Sequence, residues 1–444
     1  MALGIGYGLP FVAQHGTNPY KTQWSAALEG AKGAGASVED ENAGTGSCLV
    51  SRGQDVYTDG LPFTPSLLIV PQFYKEGNLY QDVPPFVAED TTMRFTVSRN
   101  TTATRVNSNG LIESVASGVP RIDWLGQSCP ALLVEASGQN QALWSRDLSV
   151  SGTWVASGIT AVRNAIGADG TASGATTLTA TAASATITQN ILHVLQSRIF
   201  SAYMRRVSGS GQIQLTTNGG INWQTVTLTS AFAPFNSGAQ TVVSGQVGIR
   251  MIASGDVIEV DFTQAEVGPI ATSPILTTAA AVSRAADIIS ASGALVSSLI
   301  GQTEGTIYAE VDVKALQGTV AKTFIDIGAT NNRIFLGFTS LASNTIRLQI
   351  DTSAGLARVD IRSAVSSAGI IKVAAAYQSG NCLLYVNGIA GTVLANDSFS
   401  FSTLSSVFIG QTIAGTAFLN DRIRAAALYT TRLTDAQLAE LTRL

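Results

Sequence analysis

Polar and apolar residues alternate along much of the chain after residue 140. In "VIEVDF" (257–262), Val257, Glu259 and Asp261 fall on one side and Ile258, Val260 and Phe262 on the other. This period of two marks a half-buried β-strand. Similar runs are "ATTLTATA", "SATITQNI", "RIFSAYMRRV", "GQIQLTT", "WQTVTLTSAF" and "QVGIRMIA" between 175 and 253. A second series runs from "GTIYAEVDVKAL" at 305 through "KTFIDIGA", "RIFLGFTS", "TIRLQIDT", "LARVDIRS", "GIIKVAAAYQ", "NCLLYVNGIAGTVL" and "SSVFIGQ" to "DRIRAAALYT" ending at 430. Turn residues punctuate both series at roughly eight- to twelve-residue intervals, the spacing of a sandwich or jelly roll. Asn387-Gly388 is the strongest hairpin signal in the chain, because both central positions of the tight turn need positive φ.

The period changes in two places. "TQWSAALEGAKGAG" has Trp24, Ala27 and Leu28 at helical spacing, which predicts a short helix. At the C-terminal end Thr434 and Gln437 form a capping box ahead of Leu438 and Leu441, which predicts a closing helix. The pattern divides the 444 residues into an irregular Gly-rich arm (1–60), a β connector module (61–139), a β-sandwich (140–287), a linker (288–296) and a second sandwich or jelly roll (297–444). The expected fold class is all-β. Tyr7, Phe11, Tyr20 and Trp24 give the arm apolar groups with which to dock on a partner.

Composition narrows the function classes. Only 13% of residues are charged and the formal net charge is −4, so no nucleic-acid footprint is expected. The densest basic spot is the pair Arg205-Arg206. Cys48, Cys129 and Cys382 lie far apart without CxxC spacing, which argues against a disulfide framework or a zinc site. The opening "MALGIGYGLPFVAQHG" lacks a basic n-region, so it does not read as a secretion signal. No apolar run approaches the roughly 18 residues of a membrane-spanning helix, and no membrane insertion is expected.

Three stretches carry resemblances. "GTIYAEVDV", "RIFLGF", "LLYVNGIAGT", "VFIGQ" and "DRIRAAALYTTRLTDAQLAELTRL" together resemble laminin-G/concanavalin A-like jelly rolls over the last third of the chain. Asn140, Leu143, Ser145, Asp147, Ser149 and Trp154, followed by Asp169-Gly170-Thr171 and by "VSRAAD", resemble carbohydrate-binding-module sandwiches. "PQFYKEGNLYQDVP", "TVSRNTTATRVNSNGLIE" and "VPRIDW…CPALLVEASGQNQ" are similar to a module of tailed-phage virion proteins, found in tail fibres, head fibres and receptor-binding proteins. These likenesses imply a structural protein at the virion surface. They imply attachment to other virion proteins through the arm, host attachment by glycan binding, and assembly as a homo-oligomer, commonly a trimer. A virion-associated glycan depolymerase and a purely architectural capsid or tail decoration protein are the alternatives.

No catalytic constellation is expected. Glu310 and Asp312 share a strand face, but the next position on it is Lys314, and glycoside hydrolysis needs a positioned acid and base. An ordinary solvated strand face accounts for the pair. His15 and His193 are the only histidines, and no G-x-S-x-G, P-loop or dinucleotide fingerprint is present, so hydrolase and nucleotide chemistry are not indicated. Sugar binding uses an aromatic face with amides and carboxylates around it. The candidates are Trp154, Tyr203, Trp223, Tyr308 and Tyr385, for each of which core packing is the first reading and ligand contact the second. Asp326, Asn331 and Asn332 are the calcium candidates; one carboxylate is few for an ion that takes several oxygen ligands. No other cofactor is expected.

Overall fold

A computed structural model describes residues 65–69, 71, 82, 83, 85–87, 95–125, 130–191, 195–242, 245–352 and 357–444. The arm (1–60) with its expected helix, His15, His193, Cys48 and Cys129 lie outside the described residues. The chain is all-β and forms β-sandwiches. It divides into two units whose boundaries cut across the expected domains: residues 1–98, 118–135 and 287–444 in one, and 99–117 and 136–286 in the other.

In the first unit one sheet is ordered Pro85–Val87, Leu67–Ile69, Asp421–Tyr429, Glu304–Val313, Gly369–Gln378, Leu383–Val386 and Ile389–Ala390. The Ala131–Val134 strand joins the end of Asp421–Tyr429 and itself pairs with Arg121–Asp123. The facing sheet runs Asp82–Val83, Phe95–Ser98, Ile288–Ser292, Ser406–Ile409, Lys322–Ala329, Asn332–Phe338, Thr345–Asp351, Ala357–Ala364 and Thr392–Asn396. The described residues of 61–139 are shared between the two units. The strands at 67–69, 82–83, 85–87, 95–98, 121–123 and 131–134 extend the two sheets of this unit, and 288–292 of the expected linker is a sheet strand.

The turn and cap signals act locally. Asn387 and Gly388 have φ of 50° and 79°, the left-handed pair that a two-residue hairpin requires. Thr434 and Gln437 complete the capping box of the Asp435–Leu441 helix. Leu438 and Leu441 seal that helix over Tyr308, Ala374, Ala376, Ala427 and Tyr429 on the outer side of the first sheet. This apolar cover explains why a sheet strand can be buried on both faces.

Two quoted motifs of the connector and the "VSRAAD" stretch meet in a fully buried charge cluster. Arg121 donates Nη1 to Glu135 at 2.8 Å and Nη2 to Asp287. The Glu135 N–H donates to Asp287 at 2.9 Å, and the Asp287 N–H to the Glu135 carbonyl at 3.0 Å. Burial opposes the charge on Arg121, but the two carboxylates outweigh it and hold the guanidinium more firmly protonated than usual. These residues join positions about 14 and 166 apart in sequence.

The second unit packs a six-stranded sheet ordered Ile159–Ala165, Ala175–Ala180, Val257–Val267, Gln196–Ser208 and Ala233–Asn236, with Gln240–Val242 also paired to Gln196–Ser208, against a five-stranded one ordered Val155–Ser157, Ala185–Ile191, Gly245–Met251, Ile213–Thr216 and Gln224–Val226. Of "WQTVTLTSAF" only Gln224–Val226 is a strand. Leu178, Ile187, Phe200, Met204, Leu215, Ile249, Ile258 and Val260 fill the space between the sheets. The alternation read from "VIEVDF" breaks at its last residue. Phe262 has φ 47° at a bulge opposite Ser201–Tyr203, and its ring turns to Tyr203 and Arg146. The Arg-punctuated ribbon is the hairpin Ala103–Val106/Ile112–Val115 of this unit. Arg99 ties the Thr101 and Ala116 carbonyls, and Arg105 pairs with Glu113.

Candidate functional site

The five aromatic candidates do not form one row. Trp154 is 3% exposed and donates its indole N–H to the Leu143 carbonyl at 3.1 Å. Tyr308 is fully buried under the C-terminal helix, and Tyr385 packs at the margin of the same cluster. Neither Trp154 nor Tyr308 offers a free stacking face. Tyr203 is half-buried on the sheet that Trp223 does not belong to, edge-on to Phe262 at 6.2 Å. Trp154, in the turn just before Val155–Ser157, sits in the core between the two sheets, and Tyr308 is covered by the C-terminal helix; both environments take the largest rings out of water.

The calcium set is also separated. Asp326 lies at the centre of its strand opposite Phe335, three register positions from the Ala329–Asn332 end where Asn331 and Asn332 turn the chain. Its Oδ2 accepts the Ile413 N–H at 3.0 Å and its Oδ1 faces Arg333 at 3.3 Å. The Asn332 amide is committed to both backbone groups of Ser402. Among the described residues no group of three or more His, Cys, Asp or Glu converges as metal ligands would. Glu310 and Asp312 are not on a solvated face. Both are buried, Glu310 accepting from Arg424 at 2.9 Å and Asp312 from Arg422 at 3.2 Å. The adjacent Asp421–Tyr429 strand supplies those cations, so the pair forms ion pairs rather than an open acid and base.

Trp223 is half-buried and stands against Arg250. It lies at the outer face of the five-stranded sheet of the second unit. There Ile187, Ile191, Val247, Ile249, Met251, Ile213 and Leu215 point inward. Alternation therefore sends Thr186, Thr188 and Asn190, Gln246 and Arg250, and Gln214 outward, all half-buried or exposed. The register sets Arg250 beside Thr186 on one side and Gln214 on the other, with Thr225 next in line.

The outer side chains hold one another. Gln246 Nε2 donates to Asn190 Oδ1 at 3.1 Å, and Gln214 Nε2 to Thr225 Oγ1 at 3.0 Å. Arg250 donates Nε to Gln214 Oε1 at 2.7 Å and also engages that oxygen through Nη2. Its guanidinium carbon stands 4.3 Å from the Trp223 ring centroid, a cation–π contact. Trp223 is carried by a loop folded back on the sheet: Thr216 Oγ1 accepts the Asn218 and Gly220 N–H groups, and the Gly219 N–H donates to the Gln246 carbonyl.

Gly248 is buried and lies between Thr188 and Thr216. A Cβ there would lie 2.5 Å from the Ile187 carbonyl oxygen and 2.6 Å from Thr188 Cγ2. No side chain fits there without displacing Thr188. The outer face thus carries hydroxyls and amides around a fixed guanidinium, the donor and acceptor set that sugar hydroxyls match. Thr186, Thr188, Asn190, Gln214, Thr225, Gln246 and Arg250 were not among the sequence candidates. Their signal was the alternation of "ATITQNI" and "GQVGIRM"; the strand neighbours that align them are set only by the fold.

The sequence matches no protein-family model and no curated protein. Among solved structures, it is similar to the CBM40 of the Ruminococcus gnavus IT-sialidase at 19% identity, covering 32% of this chain and 85% of that one, with a TM-score of 0.28. It is similar to domain 4 of AbnA, a GH43 extracellular arabinanase from Geobacillus stearothermophilus in complex with arabinotriose, at 15% identity, 40% and 83% coverage and a TM-score of 0.27. Domains LG4-5 of the mouse laminin alpha1 chain match at 10% identity over 68% of this chain and 91% of theirs, with a TM-score of 0.23. At these scores the likeness carries no ligand with it.

Proposed function

We propose that this chain is a structural, non-catalytic protein of a tailed-phage surface that binds host glycan through the outer face of the five-stranded sheet. The observation that carries the binding reading is the face itself. Thr186, Thr188, Asn190, Gln214, Thr225 and Gln246 stand outward on aligned strands around Gly248, so a sugar ring can lie on the sheet with its hydroxyls against amides and hydroxyls. The virion reading rests on the order of sequence modules, from the arm through the Arg-punctuated ribbon to two sandwiches. The arm would hold the protein to other virion proteins, and a homotrimer would repeat the face. Repetition on a symmetric particle raises avidity without enriching any single site.

A glycan array and whole-cell binding assay on the full chain, with product analysis of the same samples, tests this. Saturable binding that Thr186→Ala plus Gln246→Ala abolishes supports a glycan adhesin. Shortened glycans would instead make the protein a depolymerase. Absence of binding by a chain that still enters particles would make it an architectural decoration protein.

A further inference from the structure

We infer that the glycan taken by this face is acidic, and that Arg250 reads its carboxylate. The inference rests on the glycan-binding reading and adds the ligand class. Arg250 is the one formally charged residue in the five strands of the sheet, whose sequences are "VAS", "ATITQNI", "IQLT", "QTV" and "GQVGIRM". On the opposite sheet Arg205 pairs with Glu259 and Arg206 with Asp256. Arg250 has no such partner: among the described residues it is held only by the neutral Gln214 amide and the Trp223 ring.

The way it is held leaves one edge of the guanidinium for a ligand. Gln214 occupies the Nε–Nη2 edge, and Nη1 has no hydrogen-bond partner among the described residues. The Nη1–Nη2 edge presents two parallel N–H groups, the geometry that a carboxylate accepts in bidentate fashion. Gln214 and Trp223 fix the side chain before binding, so little rotamer freedom remains to be lost. Thr186 stands directly beside Arg250 across the strand pair, and Gly248 two residues along the same strand. A pyranose whose carboxylate meets Arg250 therefore lies along the outer face of the sheet, with Thr186, Thr188 and Gln246 around its hydroxyls. A neutral sugar would leave the cation without a counter-charge.

The test is binding by the full chain to neutral, uronate-bearing, sialylated and sulfated glycans at physiological salt. The best acidic glycan is then compared with its carboxyl-reduced form. The expected result is selection of carboxylate-bearing glycans. Carboxyl reduction and Arg250→Gln should each weaken binding by about 10- to 100-fold, the range for a charge-assisted pair. Arg250→Lys should lose most of it too, because it keeps the charge without the fork, while Arg163→Gln on the other sheet should leave it unchanged. Carboxyl reduction is read on the wild-type chain, so the inference stays open to refutation even if an Arg250 variant misfolds. Equal binding of neutral glycans, unaffected by Arg250→Gln, would overturn the inference and leave the glycan reading standing. Sulfated glycans bound as well as carboxylates, with Arg250→Lys at wild-type strength, would reduce it to plain charge attraction and overturn it as well. No glycan bound at all would bring down the underlying reading.

Discussion

Arg146 and Asp169 meet through two parallel hydrogen bonds of 2.7 Å each, Nη1 to Oδ2 and Nη2 to Oδ1. The same guanidinium reaches Asp261 with Nε at 2.8 Å and Nη2 at 3.0 Å. Space for it comes from Gly167 and Gly174, where a Cβ would fall 2.2 Å and 2.5 Å from Nη2. Burial works against ionisation of Asp169, yet the bonds from Arg146 and Thr171 prevail and hold its carboxyl below the usual range. At Asp261 burial prevails and the carboxyl is pushed up despite Arg146. The Asp-Gly-Thr turn quoted for its family likeness is thus one wall of a cage around an internal cation.

Arg146→Met should destabilise the second unit by roughly 3–5 kcal/mol, because Asp261 would remain buried without its partner. Urea unfolding followed by the fluorescence of Trp144, Trp154 and Trp223 would read this. A loss below about 1 kcal/mol, the range of surface pairs, would show that the cage does not hold the unit together.

Arg121→Met should be similarly severe in the first unit, since it strands Glu135 and Asp287 together. Replacing all three residues with apolar ones of similar volume is expected to recover much of the loss, because the desolvation of the charges disappears with them. Thermal melts of the single and triple variants provide the comparison. A triple variant no more stable than Arg121→Met would argue against this account.

Asp326 gives the first unit a pH dependence of defined sign. Burial is the largest influence and pushes its carboxyl to about 6, while Arg333 and the Ile413 N–H oppose the rise and Asp351 adds to it. The folded state therefore holds a proton that the unfolded chain, at 3.8, has released. Its contribution to stability is largest at acid pH and falls as pH rises from about 4 to 6. Asp326→Asn should remove this slope and raise stability at pH 8 by up to roughly 3 kcal/mol. Urea midpoints from pH 4 to 8 decide the matter, and an unchanged slope in the variant would exclude Asp326 as its source.

Cys382 is buried, donates to the Gln378 carbonyl at 3.3 Å, and has its thiol pushed up to about 11, chiefly by burial. Little thiolate exists at pH 8, so alkylation mapped by mass spectrometry should find this residue unmodified in the folded protein and labelled after denaturation. Rapid labelling in the folded state would contradict the burial.

Legibility followed the range of the interactions. Strands such as Lys322–Ala329 and Gly369–Gln378, the Asn387-Gly388 hairpin and the Thr434–Gln437 capping box could be read directly, because alternation, left-handed φ and cap hydrogen bonds act within a few residues. The two-sandwich, all-β class followed from the spacing of those same signals. Trp154 and Tyr308, named as candidates with core packing as the first reading, are buried, since sequence does not distinguish a ring in the core from one on a binding face. Sequence alone placed Glu310 and Asp312 on a solvated face, because the arginines that bury them lie more than a hundred residues away. The division at 98–99, 117–118, 135–136 and 286–287 was likewise invisible, as it depends on which distant strands pair. The outward positions of Thr186, Gln214 and Arg250 were implicit in their own strands. Their assembly into one face was decided by the tertiary structure, because hydrogen-bond register between strands about 30 to 65 residues apart, a property of the closed sheet, is what brings them side by side.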